Sequence, residues 1–263
     1  MTLPDTFPIP PELPGLLASA RKLVVFTGAG VSAESGISTF RDRTTGLWAR
    51  FDPQQLATPE AFRVNPPLVW GWYEARRRSI LNARPNPAHI ALARFGELLP
   101  EVVVVTQNVD DLHERAGSHP VLHLHGRLDE ARCFRCDRPY RHQGPPPPEA
   151  GEAEITPPTC EACGHPIRPG VVWFGESLPH DVWSQVLQHV NECDALFCVG
   201  TSAVVYPAAE IPLIALSRGA TVVQVNPQPT ELDARVRYNL HGKAGEVLPA
   251  LFEAVRQHEP ERQ

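Results

Sequence analysis

The sequence has few lysines and no excess of basic residues. Lys22 and Lys243 are its only lysines, and its 24 basic side chains are outnumbered by 30 acidic ones, giving a formal net charge of −6. Domains that bind nucleic acids usually carry a basic patch that neutralises phosphates. We therefore expect no direct binding of nucleic acid.

Long apolar runs are also missing. The longest, such as Val102–Val105, fall far short of the ~20 residues that a membrane-spanning helix needs. Met1–Pro14 contains neither the basic n-region nor the apolar stretch of a signal peptide. We therefore expect a cytoplasmic protein with reduced thiols that does not act at a membrane. The sequence does not indicate the oligomeric state, and a monomer is compatible with it.

Cysteine is too scarce, at 6 in 263 residues, for a disulfide-rich scaffold. Four cysteines form two pairs with C-x2-C spacing, which are Cys133 with Cys136 and Cys160 with Cys163. Each pair can place two thiolates on one tetrahedral Zn²⁺, and a shell of four thiolates has no open position for catalysis. The spacing therefore predicts one structural zinc ion, with two disulfides as the alternative that a reducing compartment disfavours.

The remaining cysteines, Cys193 and Cys198, lie on or beside a predicted strand. Unpaired cysteines in such positions are usually small buried hydrophobic side chains. We expect no chemical role for either of them.

Short β-branched runs alternate with longer helical patterns along the chain. The predicted strands cover 22–27, 102–106, 195–199 and 221–225, and the predicted helices cover 67–82, 89–99, 183–191 and 208–218. Continuous apolar strands separated by helices predict an α/β fold with a Rossmann-like, doubly wound parallel sheet. Small or polar residues follow these strands, at the sheet edge where such folds bind their ligands.

The stretch 128–169 differs from its surroundings because it lacks sustained apolar periodicity. It contains the four paired cysteines and the proline run 145–148, which favours a small inserted zinc-binding module. We assign 15–48, 88–127 and 170–255 to a discontinuous Rossmann-like domain and 49–87 to a helical and loop module.

The loop after the first predicted strand has G-x-G-x-x-A spacing, formed by Gly28, Gly30 and Ala33. Such glycines bring backbone N–H groups close to a pyrophosphate, although a tight strand-to-helix turn gives the same pattern. No acidic residue follows about twenty residues later, where the dehydrogenase fingerprint has one. The loop therefore favours a nucleotide site but not an ordinary hydride-transfer dehydrogenase.

Two further patterns could carry chemistry. His123 and His125 follow an apolar pair, and a histidine there could act as a base or be purely structural. Tyr73 and Arg76 have i, i+3 spacing on one face of a predicted helix. That face could hold a carboxylate by charge-assisted hydrogen bonds, or it could simply be solvated.

Together these motifs resemble those of the sirtuin family, which are NAD-dependent protein-lysine deacylases. The resemblance covers about residues 20–250 and rests on segments in the family's order, namely 28–41, 106–110, 125–126, the four paired cysteines, 171–176 and 200–202. Ser38 and Val109 replace the family's usual proline and isoleucine.

The resemblance implies NAD as cofactor, one structural Zn²⁺ per chain, and His125 as the general base. Phe40 and Arg41 would lie near the scissile nicotinamide bond, and Asn108 and Asp110 would orient the ribose and carboxamide. The implied NAD contacts are Gly28, Ala29, Gly30, Glu34, Phe40, Arg41, Trp48, Gln107, Asn108, Val109, Asp110, Gly200, Thr201, Ser202, Asn226, Pro227, Gln228, Lys243 and Ala244.

The implied reaction removes acyl groups from protein lysines and releases nicotinamide and O-acyl-ADP-ribose. The substrate backbone would pair as an added strand with a segment that includes Val172, Phe174, Gly175 and Glu176. Tyr73 and Arg76 match the Tyr-x-x-Arg pair of sirtuins that remove acidic acyl groups, which predicts an acyl pocket in 49–87.

We therefore predict removal of succinyl and malonyl groups, with acetyl groups removed as well. Mono-ADP-ribosyl transfer to protein from the same NAD site is the alternative activity. An NAD-sensing zinc protein without catalysis is a third function compatible with the same motifs.

Overall fold

Two β-sheets organise the part of the chain that the structure, a computed structural model, describes, which is residues 8–38, 56–147 and 154–258. The strands in these ranges are β1 (Lys22–Thr27), β2 (Glu101–Thr106), β3 (Val121–His123), β4 (Gly126–Cys133), β5 (Pro139–Tyr140), β6 (Ile167–Val171), β7 (Ala195–Val199), β8 (Thr221–Asn226) and β9 (Tyr238–His241).

Helices cover both faces of the larger sheet. The α-helices of the described ranges are α1 (Leu13–Ala18), α2 (Gly30–Ala33), α3 (Pro59–Val64), α4 (Pro66–Asn82), α5 (Pro87–Leu98), α6 (Leu112–Arg115), α7 (His180–Glu192), α8 (Ile211–Ser217) and α9 (Ala244–Arg256). Short 3₁₀ turns occur at Ala208–Glu210 and Glu231–Ala234.

The larger sheet is parallel throughout and has the strand order β3-β2-β1-β7-β8-β9. Every residue of the central strands β1 and β7 is buried, because helices cover the sheet on both sides. The order reverses between β1 and β7, and ligands of such sheets bind outside the carboxyl ends of the strands at this point. The predicted doubly wound α/β fold is confirmed.

Local sequence signals explain where the main helices begin. Asn65 caps α4 by accepting a hydrogen bond from the Leu68 N–H (3.1 Å), and a proline occupies the first turn of α4. Asn86 and His89 form a capping box at the start of α5. Helix α5 packs against α9 through Phe95 and Phe252, whose ring centroids lie 5.4 Å apart.

The smaller sheet is antiparallel, has the order β5-β4-β6, and carries the paired cysteines. Its apolar side shares a second core with α3 and α4, in which Phe62 and Trp173 are almost fully buried. Arg77 on α4 makes a bidentate ion pair with Glu74 and donates to the Gly144 carbonyl (3.2 Å). Helix α4 is therefore bonded directly to the segment that follows β5.

No helix in the described ranges combines the length and the apolar character needed to cross a membrane.

Two buried histidines lie beneath the carboxyl edge of the large sheet. The rings of His89 and His113 have centroids 4.8 Å apart, and His113 Nε2 lies 3.0 Å from Thr27 Oγ1. Burial lowers the pKa of His89 from 6.5 to about 4. Burial and then the neighbouring His89 lower the pKa of His113 to about 3. Both rings are therefore neutral at pH 7, which suits an apolar interior.

This pair should make the protein sensitive to acid. Protonation is easier in the unfolded chain, so stability is lost as the pH falls below about 6.5, and this loss is complete near pH 3. At pH 5 each histidine should cost about 2 kcal/mol of unfolding free energy. We expect the loss between pH 7 and pH 5, measured by urea unfolding, to be smaller by about 2 kcal/mol in His113→Gln.

The matched control is His180→Asn, since the His180 side chain is 91% exposed. It should keep the wild-type pH dependence. An equal loss of stability in His113→Gln and wild type would contradict the assignment.

Candidate active site

Two glycine-containing loops meet backbone to backbone where the strand order reverses. Gly30 N–H donates to the Gly200 carbonyl (2.8 Å), and Gly28 N–H donates to the Val199 carbonyl (3.0 Å). A Cβ on Gly30 would lie 2.7 Å from the Gly200 oxygen, which requires glycine there. Gly200 has φ +59, and a Cβ on it would lie 2.4 Å from Val31 N. This glycine contact, the cradle, lies at the sheet edge where such folds bind their ligands.

A buried hydrogen-bond network extends from the cradle to the end of β2. Asn108 Nδ2 donates to the Gly28 carbonyl (3.2 Å) and to Ser32 Oγ (3.1 Å). Ser32 Oγ in turn donates to Asp110 Oδ2 (3.0 Å). Burial raises the pKa of Asp110, and the hydrogen bonds to its carboxylate oppose that shift. Ser32 thus bonds both Asn108 and Asp110 and connects them in one network.

His125 lies on the turn between β3 and β4, outside both strands. Its Nδ1 lies 3.0 Å from the Gln107 carbonyl oxygen, which can only accept, so Nδ1 carries the proton and Nε2 has a free lone pair. Burial lowers the pKa of His125, and the hydrogen bond to Gln107 opposes the shift. The ring is a neutral imidazole at pH 7 and can accept a proton at Nε2.

His123 is bonded on both sides of its ring. Nδ1 lies 3.0 Å from the Asn108 carbonyl, and Nε2 lies 2.8 Å from Glu114 Oε1. Burial alone would raise the pKa of Glu114, but His123 and Arg127 lower it to about 2. Both ring nitrogens of His123 are therefore engaged in hydrogen bonds within the protein.

Side chains at the ends of neighbouring strands connect the other half of the predicted nucleotide site. Gln107 Nε2 donates to Thr201 Oγ1 (2.9 Å), and Asn226 Nδ2 donates to the Thr201 carbonyl (2.9 Å). Ser202 is half-buried beside them. The ends of β2, β7 and β8 thus form one continuous polar edge.

Several of the residues predicted to contact NAD already have hydrogen-bond or ion-pair partners within the protein, and others are exposed to solvent. Glu34 Oε1 accepts from Gly245 N–H (2.9 Å) at the start of α9, next to the buried Ala244. Lys243 is exposed, with Nζ 3.8 Å from Glu246 Oε1. Pro227 and Gln228 are exposed after β8, Ala29 is half-buried, and the Val109 carbonyl accepts from Leu128 N–H. Phe40, Arg41 and Trp48 lie outside the described residues.

Tyr73 and Arg76 lie on the buried side of α4. The phenol of Tyr73, which is 3% exposed, accepts a hydrogen bond from Trp173 Nε1 (3.0 Å). Burial raises the pKa of Tyr73 well above 10, so the phenol stays protonated. Burial lowers the pKa of the half-buried Arg76, and Tyr73 and Asp110 oppose the shift. Arg76 is thus within electrostatic reach of the polar network that contains Asp110.

The segment 172–176 does not form a strand. Most of its N–H groups are already used, since Val172 donates to the His125 carbonyl (2.8 Å) and Phe174 to the Ala57 carbonyl (2.9 Å). Gly175 has φ +86 and lies in a turn, and the Glu176 side chain is bonded to Arg168. A substrate backbone would therefore have to pair with the carbonyls of this segment and with the Gly175 N–H.

The four paired cysteines converge at one end of the smaller sheet, and their sulfur atoms all lie within 4.8 Å of one another. The separations are 3.4 Å for Cys133 and Cys163, 3.5 Å for Cys136 and Cys163, and 3.7 Å for Cys136 and Cys160. Four thiolates at about 2.3 Å from a tetrahedral Zn²⁺ would be roughly 3.8 Å apart. The cluster therefore fits a structural zinc ion.

Comparison with known proteins agrees with this geometry. The model of a protein family described as the Sir2 family matches residues 28–207. The NAD-dependent protein deacylase of Methylococcus capsulatus is 53% identical over 250 residues, covering 95% of this chain and 98% of that protein. NAD-dependent protein deacylase 1 of Pseudomonas aeruginosa is 57% identical over 238 residues, covering 90% and 95%.

Solved structures give the same match. A Sir2 homolog in complex with NAD superposes with a TM-score of 0.88 at 45% identity, and the match covers 97% of each chain. A Sir2 variant with a deacetylated p53 peptide and 3′-O-acetyl ADP-ribose superposes with a TM-score of 0.79 at 33% identity. That match covers 92% of this chain and 96% of the other.

Loss of one thiolate should release the zinc ion and destabilise the inserted module. We expect Cys160→Ser to contain far less than one zinc per chain by elemental analysis. Because a structural metal contributes several kcal/mol to folding, Tm should fall by roughly 10 °C. Cys193→Ser is the control, since Cys193 Sγ donates to the Val190 carbonyl (3.2 Å) away from the cluster. Full zinc content in Cys160→Ser would contradict the four-cysteine site.

Proposed function

This chain belongs to the Sir2 family of NAD-dependent protein deacylases, and we propose that it removes succinyl and malonyl groups from protein lysines in addition to acetyl groups. The observation that carries the proposal is the Tyr73 and Arg76 pair on the buried side of α4. A guanidinium and a protonated phenol on one helix face are suited to bind the terminal carboxylate of an acidic acyl chain.

The expected acyl preference follows from whether the acyl group offers an acceptor to the donors of Arg76 and Tyr73. A succinyl or malonyl carboxylate would accept charge-assisted hydrogen bonds from Arg76 and a hydrogen bond from the Tyr73 hydroxyl. An acetyl group ends in a methyl and offers the pocket no acceptor, so it gains nothing from these donors. The pocket should therefore favour acidic acyl groups without excluding the smaller acetyl group.

NAD, when bound, supplies a ribose carbon that can accept the acyl oxygen as nicotinamide leaves, so that O-acyl-ADP-ribose is the second product. We propose that the loops that contain Gly28, Gly30 and Gly200 hold the pyrophosphate, with Asn108 and Asp110 orienting the ribose and carboxamide side. By resemblance to the family, Phe40 and Arg41 would lie near the scissile nicotinamide bond. Each assignment rests on the family motifs and, within the described residues, on the polar edge of the sheet.

His125 is the proposed general base. Its Nδ1 proton is held by the Gln107 carbonyl, so Nε2 is the atom that takes a proton from a ribose hydroxyl. A buried, neutral imidazole with a fixed tautomer needs no prior deprotonation at pH 7. The same ring would also return the proton as the products form.

Mono-ADP-ribosyl transfer to protein is not favoured, because the relatives that resemble this chain over nearly its whole length are named protein deacylases. Product analysis distinguishes the two activities. A deacylase yields O-acyl-ADP-ribose and free lysine, whereas a transferase yields ADP-ribosylated protein.

Removal of the base should separate the steps of the reaction. We expect His125→Ala to lower the deacylation rate by about 100-fold or more, while release of nicotinamide from NAD and acyl peptide persists. Both products can be followed by chromatography of one reaction mixture. His180→Ala, at an exposed position, should behave as wild type. An unchanged deacylation rate in His125→Ala would remove the assignment.

Neutralising the guanidinium should abolish the acyl preference. Arg76→Met keeps the length of the side chain and loses its charge, so kcat/KM for a succinyl-lysine peptide should fall by about 10- to 100-fold. The value for the matched acetyl-lysine peptide should change little.

Arg78→Met is the control, because Arg78 lies on the same helix and donates to the Pro147 carbonyl. It should keep the wild-type ratio of the two kcat/KM values. The same ratio in Arg76→Met and wild type would disprove the acidic-acyl proposal.

A further inference from the structure

Trp173 connects the end of the zinc-bearing sheet to the predicted acyl pocket. It follows β6 by two residues and is 1% exposed. Its Nε1 lies 3.0 Å from the hydroxyl of Tyr73, a residue 100 positions away in the sequence. No motif in the sequence analysis includes this contact, and the proposed reaction does not use Trp173.

Charged neighbours fix the orientation of the Trp173 ring. The Arg168 guanidinium carbon lies 3.5 Å from the centre of the indole ring, and Arg168 makes a bidentate ion pair with Glu176. Glu176 Oε2 also accepts from the Trp173 backbone N–H (2.8 Å). Arg168 therefore contacts the face of the indole, and Glu176 holds the main chain of Trp173. Together they give the indole N–H a defined position.

The direction of the hydrogen bond to Tyr73 follows from chemistry. An indole N–H can only donate, so the Tyr73 oxygen is the acceptor and its own proton must point elsewhere. Because burial keeps the phenol protonated, that O–H remains a donor. Arg76 lies one turn farther along α4 and attracts the same kind of acceptor.

We propose that Trp173 is a positioning residue for acyl recognition: its N–H holds the Tyr73 oxygen so that the phenol O–H is directed at the carboxylate of an acidic acyl chain. This inference rests on the proposed removal of acidic acyl groups. Trp173 does not touch the acyl chain in this role and acts through Tyr73. It links recognition of the acyl group to the segment that leaves the zinc-bearing sheet.

A purely structural role is the competing explanation, since Trp173 also packs on Phe62 with ring centroids 5.3 Å apart. The two explanations predict different effects on the binding of different acyl peptides. Loss of packing would weaken binding of every acyl peptide, whereas loss of the N–H would affect only a substrate that pairs with the Tyr73 hydroxyl. The ratio of two matched substrates therefore separates them.

The test is a double-mutant cycle on succinyl- and acetyl-lysine peptides of the same sequence. Trp173→Phe keeps an aromatic ring over Arg168 and removes the N–H. We expect KM for the succinyl peptide to rise by about threefold to tenfold with kcat nearly unchanged, and KM for the acetyl peptide to stay within about twofold. In a Tyr73→Phe background, Trp173→Phe should not change the succinyl-to-acetyl ratio further.

Trp70→Phe is the matched control, because Trp70 is another buried tryptophan and stacks on His142 at 5.8 Å. It should leave the ratio unchanged. An equal loss on both substrates in Trp173→Phe, or additive effects on the ratio in the double variant, would overturn the inference while leaving the acyl preference intact. If Arg76→Met and Tyr73→Phe also keep the wild-type ratio, the acyl preference itself is overturned, and this inference with it.

A measurement on the unaltered protein covers the case in which Trp173→Phe does not fold. The chain has 5 tryptophans, so ¹⁵N-tryptophan labelling gives few indole N–H signals to resolve by NMR. The signal that moves in Tyr73→Phe should also move when the wild type binds the succinyl peptide, and move much less with the acetyl peptide. Equal movement with both peptides would overturn the proposal.

Discussion

The site depends on the backbone contact between the loops after β1 and β7. Side chains are excluded from this contact, because a Cβ on Gly30 or Gly200 would overlap the opposite backbone. The contact brings the carboxyl ends of the two central strands together where the sheet order reverses, which is where sheets of this kind bind their ligands. Asn108 extends the same arrangement by bonding the Gly28 carbonyl from β2.

The sequence predicts the parts of the fold that carry a strong local signal. Continuous apolar runs identify β1, β2, β7 and β8 to within a residue, since strands buried on both faces are mostly apolar. The edge strands β3 and β9 are short and mix apolar with polar residues, so periodicity misses them. Helix α9 escapes prediction because it contains Pro249, and proline disfavours a helix interior. The smaller sheet has too little apolar alternation to predict.

The sequence likewise predicts only those parts of the candidate site that carry a local signal. Cysteine spacing alone predicts the cluster that the four sulfur atoms form, because the ligands are close in sequence. Pattern alone leaves the choice between His123 and His125 open, and only the fold shows that the two rings have different hydrogen-bond partners. Ser32 bonds Asp110, which lies about 80 positions away in the sequence. Trp173 bonds Tyr73, which lies 100 positions away. No local pattern encodes contacts of that kind.

The zinc-bearing sheet has contacts with both ends of the proposed acyl pocket, so under this proposal a structural metal would affect acyl specificity. On one side, Arg77 of α4 bonds the Gly144 carbonyl of the inserted module. On the other, β6 leads directly to Trp173, whose N–H reaches Tyr73 on that same helix. A loosened sheet would therefore disturb both ends of the helix face that carries Arg76. Four thiolates leave zinc no catalytic position, yet the shape of the proposed pocket would depend on the module that zinc stabilises.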